Sequence, residues 1–537
     1  MDRAVPSPSA SEAALLDCCC RRPMRSPPGD LSFARLEEDA PTRPIAPSTP
    51  PLVLVAFIFP ALAGFNFGFD IGSTSGAVQQ LRGVDSELNA SPLLVGLLTS
   101  GSLFGTVCGT ALSFVLGAPL GRRGELLLAS CLYAMGTLIT TLAPANSPIL
   151  LTLVFLGRTV YGLGVAFAMH AAPVYIAEIA PPAVRGLLVS LKEGFIVLGI
   201  LSGFAASATA SAAALAPTLA FRAIWSPPLV VSVIVFAGML FMPASPRWLM
   251  VRALSVSRVE AAECALRAGD SLRRLRSSSL DAIVCDDDAV DDEIDSIVHA
   301  LTEQCKEGDG RGEAGCAEVL GARRALTAGL GLVVLQQVTG QPSVLYYQEA
   351  IFRDAGFGEL ASSASVIVGG AKLLATLFTV LKVEHYGRKP LLFAGIIMMI
   401  VALVTLAIAF HERPQYATGS DSFYSALIVG ALMVYVCGYQ VGFGPISWLM
   451  ISEVFPLRTR GTALSIAVSV NFCGNLLVTF TLPSIQQWFD AIEPGKGISY
   501  LFGLYVAFCL LSLGFVAACV PETKGKSLEQ IEAEMKE

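Results

Sequence analysis

The chain has 537 residues, 54% of them hydrophobic and only 15% charged, with a formal net charge of −7 and a mean hydropathy of +0.64. A soluble chain of this length carries about a quarter charged residues, so disordered, collagen-like and ordinary cytosolic classes are excluded. The charge implies no nucleic-acid partner: the acidic residues gather in one central stretch (Asp286-Asp287-Asp288, Asp291-Asp292-Glu293) and no basic patch is present.

The first fifty residues are rich in Pro, Ser and Arg and hold no apolar run of signal-peptide length, so the first membrane helix is expected to act as the insertion signal. Cys18, Cys19 and Cys20, followed by Arg21-Arg22, suit S-palmitoylation or an unmodified disordered tail about equally. Runs of roughly 20 apolar residues, the length that crosses a ~30 Å hydrocarbon layer, are predicted near 52–77, 92–116, 124–143, 149–171, 187–208 and 222–242. Six more are predicted near 325–347, 362–383, 389–410, 424–450, 462–484 and 498–520. Pro227-Pro228 interrupts the sixth. The expected organisation is a tail (1–51), a six-helix bundle (52–246), a polar linker with short helices (247–324), a second bundle (325–520) and a tail (521–537).

Arg122-Arg123, Arg185, Arg388-Lys389 and Arg458/Arg460 follow spans 2, 4, 8 and 10, whereas no Lys or Arg follows span 3. By the positive-inside rule these loops, both termini and the linker face the cytoplasm. The halves repeat one another: Gly121-Arg122-Arg123 matches Gly387-Arg388-Lys389, Glu178 with Arg185-Gly186 matches Glu453 with Arg460-Gly461, and Pro243-Ala-Ser-Pro-Arg247 loosely matches Pro521-Glu-Thr-Lys524, at offsets of 266, 275 and 278 residues. Three motifs in one order at nearly one offset indicate a duplicated six-helix unit. Transporters built this way bind substrate near the midplane and rock one half against the other.

The chain resembles the sugar porters of the major facilitator superfamily. The resemblance rests on Gly64-Phe-Asn-Phe-Gly68-Phe-Asp70, Pro173-Val-Tyr-Ile-Ala-Glu178 through Arg185-Gly186, Gln336-Gln337-Val-Thr-Gly340, Gly442-Phe-Gly-Pro445-Ile-Ser-Trp448 and Pro521-Glu-Thr-Lys-Gly525. Gln341-Pro-Ser-Val-Leu-Tyr-Tyr347 and Lys192-Glu193 look most like the plant-type vacuolar/plastid glucose-transporter-like and xylose-proton-symporter-like branch. The resemblance implies an all-α membrane protein of twelve transmembrane helices in two pseudo-symmetric halves, joined by a short cytoplasmic helical segment.

Asp70 lies well inside span 1, where an unpaired carboxylate costs several kcal/mol, and Arg158 in span 4 is its natural partner. The resemblance implies that Asp70 is a proton acceptor and Arg158 its electrostatic switch; a permanent structural ion pair is the alternative. Gln336, Gln337 and Gln341 fall on one face of span 7 as amides that donate and accept, which suits a polyhydroxylated ligand, although helix–helix amide bonding is equally within their chemistry. Trp448 offers an aromatic face to a pyranose or belongs to an interfacial belt, and Asn475 in span 11 aligns with a polar contact of the family.

Departures from the family are visible. The usual Asn five residues after the second Gln is Pro342, which leaves that role to Gln341 or Ser343. Glu193 stands for a Gln and Lys372 for an Asn, and the two are expected to pair across the halves unless Lys372 snorkels to the cytoplasmic side. Glycines 64, 68, 72 and 76 form a stripe that permits close helix packing, and Gly442, Gly444 and Pro445 form a hinge in span 10. The resemblance makes Glu178, Arg185, Arg123, Glu453, Arg460, Arg388 and Glu384 a gating salt-bridge network, weaker in the first half, where Ala118-Pro119 replaces the usual Asp-Arg. The linker, with Arg273-Arg274, is expected to brace both halves.

The expected activity is proton-coupled symport of a monosaccharide, a hexose such as glucose, by a monomer in the plasma membrane or else a vacuolar or plastid membrane. A facilitative uniporter is the alternative, and a non-transporting sensor is disfavoured because sensors of this fold carry long tails while seventeen residues follow Val520. An anchored enzyme, a metal centre and a cofactor find no support, since the four His and thirteen Cys show no ligand spacing.

Overall fold

The computed structural model describes residues 51–524 apart from 146, 254–257, 277–292, 300–318, 320–321, 413–421 and 456. The Cys18–Cys20 run lies outside the described residues, and so do the side chains of Glu384 and Arg460. Ten helices among the described residues are long and apolar enough to cross a membrane. Two further crossings hide behind breaks, and their causes are chemical.

In the first half, α1 (Pro51–Arg82) is followed by α2 (Pro92–Thr99) and α3 (Gly101–Leu142). At 1.5 Å per residue α3 would measure about 63 Å, twice the hydrocarbon layer. It turns back instead at Gly121, whose φ of 70° suits glycine. Spans 2 and 3 are therefore α2 with the first part of α3, then the remainder. Next come α4 (Leu150–Ile179), α5 (Pro182–Ala212), α6 (Pro217–Trp225) and α7 (Pro227–Phe241). Pro182, Pro217 and Pro227 each open a helix, where a missing N–H costs nothing. The Pro227-Pro228 interruption is thus a helix start, and α6 and α7 together make span 6.

The linker contributes α8 (Pro246–Ala253) and α9 (Arg258–Arg276). Arg276 ties the linker to the first half by donating to Ile179 O at 2.9 Å and pairs with Glu293, Ser271 Oγ donates to Ala244 O, and Arg273 pairs with Asp270.

In the second half, span 7 is not one helix. α10 (Arg323–Val338), α11 (Gln341–Tyr346) and α12 (Gln348–Asp354) follow one another, with Gly340 left-handed at φ 85° between the first two. A side chain at Gly340 would strike the Tyr505 ring, so that ring makes the close approach glycine allows. α13 (Ala361–Tyr386), α14 (Arg388–Glu412), α15 (Ser422–Val441), α16 (Phe443–Val454), α17 (Leu457–Ile492) and α18 (Gly497–Cys519) complete the bundle. Gly442 separates α15 from α16, as the hinge reading of span 10 requires.

The glycine stripe of α1 does pack closely. Gly68 and Gly72 lie against the carbonyls of Ile196 and Ile200 on α5, too near for a Cβ. Large apolar side chains such as Val115, Phe241, Leu374, Leu381 and Leu511 remain exposed around the outside, which is the surface lipid covers.

Contacts between the halves gather on the face away from the linker. Gly96 of α2 abuts Phe480 O, Phe104 meets the Phe480 ring at 5.8 Å, Gly369 abuts Phe204, and the Glu349 N–H donates to Ser75 Oγ at 2.9 Å. On the linker face, α10 and α16 pack against each other and against helices of their own half.

Candidate functional site

Asp70 and Arg158 come together as the sequence predicts. They are 5% and 3% exposed, and Arg158 Nη1 donates to Asp70 Oδ1 at 3.0 Å. The helix break at Ser100, between α2 and α3, leaves carbonyls that accept from the guanidinium: Nε donates to Leu98 O at 2.9 Å and Nη2 to Thr99 O at 3.1 Å. Arg158 also lies over the Trp225 ring, 5.0 Å from its centroid. Ser102, which sequence reasoning missed, donates to Asp70 Oδ2 at 2.6 Å and accepts from Arg158 Nη2 at 3.2 Å. A small cavity lined by Asp70, Ser73, Thr137, Arg158, Tyr161 and Trp225 adjoins the pair.

The span 7 amides are buried and half satisfied. Gln336 donates to Tyr439 Oη at 2.7 Å and Gln337 to Asn471 Oδ1 at 2.5 Å. Among the described residues Gln336 Oε1, Gln337 Oε1 and Gln341 Nε2 have no partner, which leaves two acceptors and a donor for a ligand. The break at Gly340 means that Gln341 does not continue the α10 helix face. Ser343 is occupied by Gly340 O and Tyr505, so Gln341 is the side chain with capacity to stand in for the Asn that Pro342 replaces. Asn475 is buried and accepts from Thr479 Oγ1 at 3.0 Å, and Trp448 packs partly buried against the core of its half. Tyr439, Asn471 and Tyr505 also escaped the sequence reading; Asn471, four residues before Asn475 on α17, was the signal that a helical face of amides gave.

Glu193 and Lys372 do not pair in this conformation. Lys372, 4% exposed, donates to Gln440 Oε1 at 2.8 Å and lies over the Tyr439 ring, while Glu193 pairs with Lys192 at 3.0 Å. Nor does Lys372 snorkel outward. Two lysines and one carboxylate near the middle of the bundle are a charge balance that sequence spacing could not resolve.

The network on the linker face is also rearranged. In the first half Glu178 is held by Ser245 Oγ and by Arg122 at 3.6 Å. Arg123 instead donates to Met239 O and Leu240 O at the end of α7, and Arg185 donates to Ala180 O. The Gly121–Gly387 alignment already equates Arg122 with Arg388, which could have found the right arginine. In the second half Arg388 Nη2 donates to Glu453 Oε1 at 2.7 Å and Thr523 Oγ1 to Glu453 Oε2 at 2.6 Å. Glu522 accepts from the backbone N–H groups of Arg388, Lys389 and Lys524. Partial burial opposes its ionisation, but these donors and that of Thr523 outweigh it and hold the carboxyl below its usual range. The bonds named for each cluster join groups of the same half. Beside Ala118-Pro119, Trp248 Nε1 donates to Ala118 O.

The comparisons with known proteins agree with this architecture. The family model described as "Sugar (and other) transporter" matches residues 56–535. "D-xylose-proton symporter-like 3, chloroplastic" of Arabidopsis thaliana is 41% identical over 489 residues, covering 90% of this chain and 82% of that protein. "Glucose transporter GlcP" of Staphylococcus epidermidis is 32% identical over 486 residues, covering 90% and 97%. Among solved structures, an inward open conformation of the xylose transporter XylE from E. coli superimposes with a TM-score of 0.71 at 25% identity, covering 90% of this chain and 99% of that one. The chain belongs to the sugar porter family of the major facilitator superfamily: it is a multi-pass membrane transporter, and not an enzyme.

Proposed function

We propose that the chain is a proton-coupled monosaccharide symporter that works by alternating access, with a hexose or pentose as substrate. The observation that carries this reading is the buried Asp70–Arg158 pair at 3.0 Å. A carboxylate and guanidinium out of water exchange a strong mutual attraction for a neutral acid when a proton arrives, and that change biases a two-state bundle. The relatives' names, a xylose-proton symporter-like protein and a glucose transporter, support the substrate class. Gln336, Gln337, Gln341, Trp448 and Asn475 bind the sugar, and Lys372 and Glu193 modulate the site.

The cytoplasmic side is the linker face, because the Arg-bearing loops lie there. Both termini are cytoplasmic, and the bundles span 52–246 and 325–520. With the halves touching on the opposite face, the conformation is inward-facing. The clusters around Glu178 and Glu453 then rearrange when that face closes. The protein acts as a monomer in the plasma membrane, or in a vacuolar or plastid membrane.

One proton moving down 100 mV supplies ~2.3 kcal/mol, enough for a roughly fiftyfold sugar gradient. The test is uptake of labelled glucose and xylose into proteoliposomes with an imposed pH gradient. The unaltered protein accumulates sugar, and Asp70→Asn exchanges sugar without accumulating it. Equal, non-concentrative uptake by both, insensitive to the gradient, means facilitated diffusion with Asp70 as a brace.

A further inference from the structure

Asp70 and Arg158 belong to the first half and the glutamines to the second, so coupling needs a contact between them. The titratable and charged groups facing Asp70 are Arg158 and Tyr161 on α4, Tyr133 on α3 and Tyr346 on α11. From α5, Lys192 lies a turn and a half away beside Gly64. Tyr133 and Tyr161 spend their hydroxyls on the α1 carbonyls of Ala63 and Asn66. Tyr346 differs. It comes from the second half, at the end of the short helix that begins at Gln341, is fully buried and faces Ser102, yet no group among the described residues holds its hydroxyl in good hydrogen-bonding geometry.

We propose that Tyr346 is the positioning residue that transmits the protonation state of Asp70, through Ser102, to the broken helix carrying the sugar-binding glutamines. The proposal rests on the symport reading above. A hydroxyl has one proton and two lone pairs. With Asp70 ionised, Ser102 gives its proton to Asp70 Oδ2 and takes one bond from Arg158, which leaves a lone pair to accept from Tyr346. Once Asp70 binds a proton from solvent it becomes the donor to Ser102. The Ser102 proton must then turn away, and Tyr346 changes from donor to acceptor. The buried phenol, unheld in this conformation among the described residues, then finds Ser102 a donor and no longer an acceptor, so α11 shifts with the proton to resettle it and carries Gln341 with it.

The test compares the unaltered protein, Asp70→Asn, Tyr346→Phe and Ser102→Ala in proteoliposomes, using labelled glucose and xylose. Tyr346→Phe is expected to keep exchange within about threefold while gradient-driven accumulation falls at least fivefold, and the dependence of exchange KM on pH flattens. Ser102→Ala is expected to do the same from the other half. If the unaltered protein accumulates sugar and Asp70→Asn does not, but Tyr346→Phe accumulates normally with an unchanged pH profile, the relay is wrong. Loss of exchange together with accumulation in both Tyr346→Phe and Ser102→Ala also overturns it, in favour of a structural role. Absence of accumulation by the unaltered protein instead overturns the symport reading itself.

Discussion

Thr523 donates its hydroxyl to Glu453 just as Ser245 donates to Glu178. Each hydroxyl residue sits two positions after a proline, Pro521 or Pro243, that ends a half. Each cluster adds an arginine following a positive-φ glycine, Arg122 after Gly121 or Arg388 after Gly387. The duplication therefore survives as matched three-part clamps. They are unequal in strength: Arg388 is 8% exposed at 2.7 Å from Glu453, whereas Arg122 is 25% exposed at 3.6 Å from Glu178. Arg388→Ala should cost about 2–4 kcal/mol, because it removes a buried guanidinium that pairs at 2.7 Å with a carboxylate only 14% exposed. Arg122→Ala should cost no more than ~1 kcal/mol. Thermal unfolding midpoints in detergent would rank them; an equal or reversed order contradicts the comparison.

Arg158→Lys keeps the charge at the coupling site but loses the fork that serves Asp70, Leu98 O and Thr99 O together. A lysine cannot reach both carbonyls and the carboxylate in one geometry. Transport is expected to fall by at least tenfold, with a destabilisation of roughly 2 kcal/mol. Retention of full transport and an unchanged melting midpoint would show that the fork is dispensable.

For the sugar site, the free Oε1 of Gln337 and Nε2 of Gln341 define the expectation. Gln337→Ala and Gln341→Ala should each raise the KM for sugar about five- to thirtyfold, the equivalent of ~1–2 kcal/mol per hydrogen bond removed. Concentration-dependent uptake measures this. Ser343→Ala, whose hydroxyl is already engaged by Gly340 and Tyr505, should leave KM within twofold.

Glu193→Gln and Lys372→Asn should be additive, within about 0.5 kcal/mol in sugar affinity, because the two side chains bond Lys192 and Gln440 instead of one another. A double-mutant cycle on binding affinity decides. Strong coupling in it would place the direct pair in the sugar-bound state.

Glu125 on α3 is fully buried, with Oε2 at 2.5 Å from His170 Nδ1 and Oε1 without a partner among the described residues. His170→Leu leaves both oxygens stranded and should destabilise the first half by about 1–3 kcal/mol. Adding Glu125→Leu to that variant should restore part of the loss, which thermal denaturation would detect. Failure of the second change to restore any stability would mean that the carboxylate is not the source of the cost.

Sequence alone determined that the chain crosses a membrane twelve times in two related halves, because apolar length and motif order are local properties of the chain. It also pointed to the Asp70–Arg158 pair, since each is the single Asp, Glu, Lys or Arg in its predicted span and an unpaired charge there is costly. Tertiary structure decided the rest. The residue at the break of span 7 must be glycine, because its φ is positive and the Tyr505 ring occupies the place of a side chain, and Tyr505 lies 165 residues away in the chain. Lys372 bonds Gln440, and Glu178 takes Arg122 in preference to Arg123, because hydrogen-bond partners in a low-dielectric bundle are chosen by helix rotation and depth. Those quantities follow from packing between distant segments, which residue spacing along one helix does not encode.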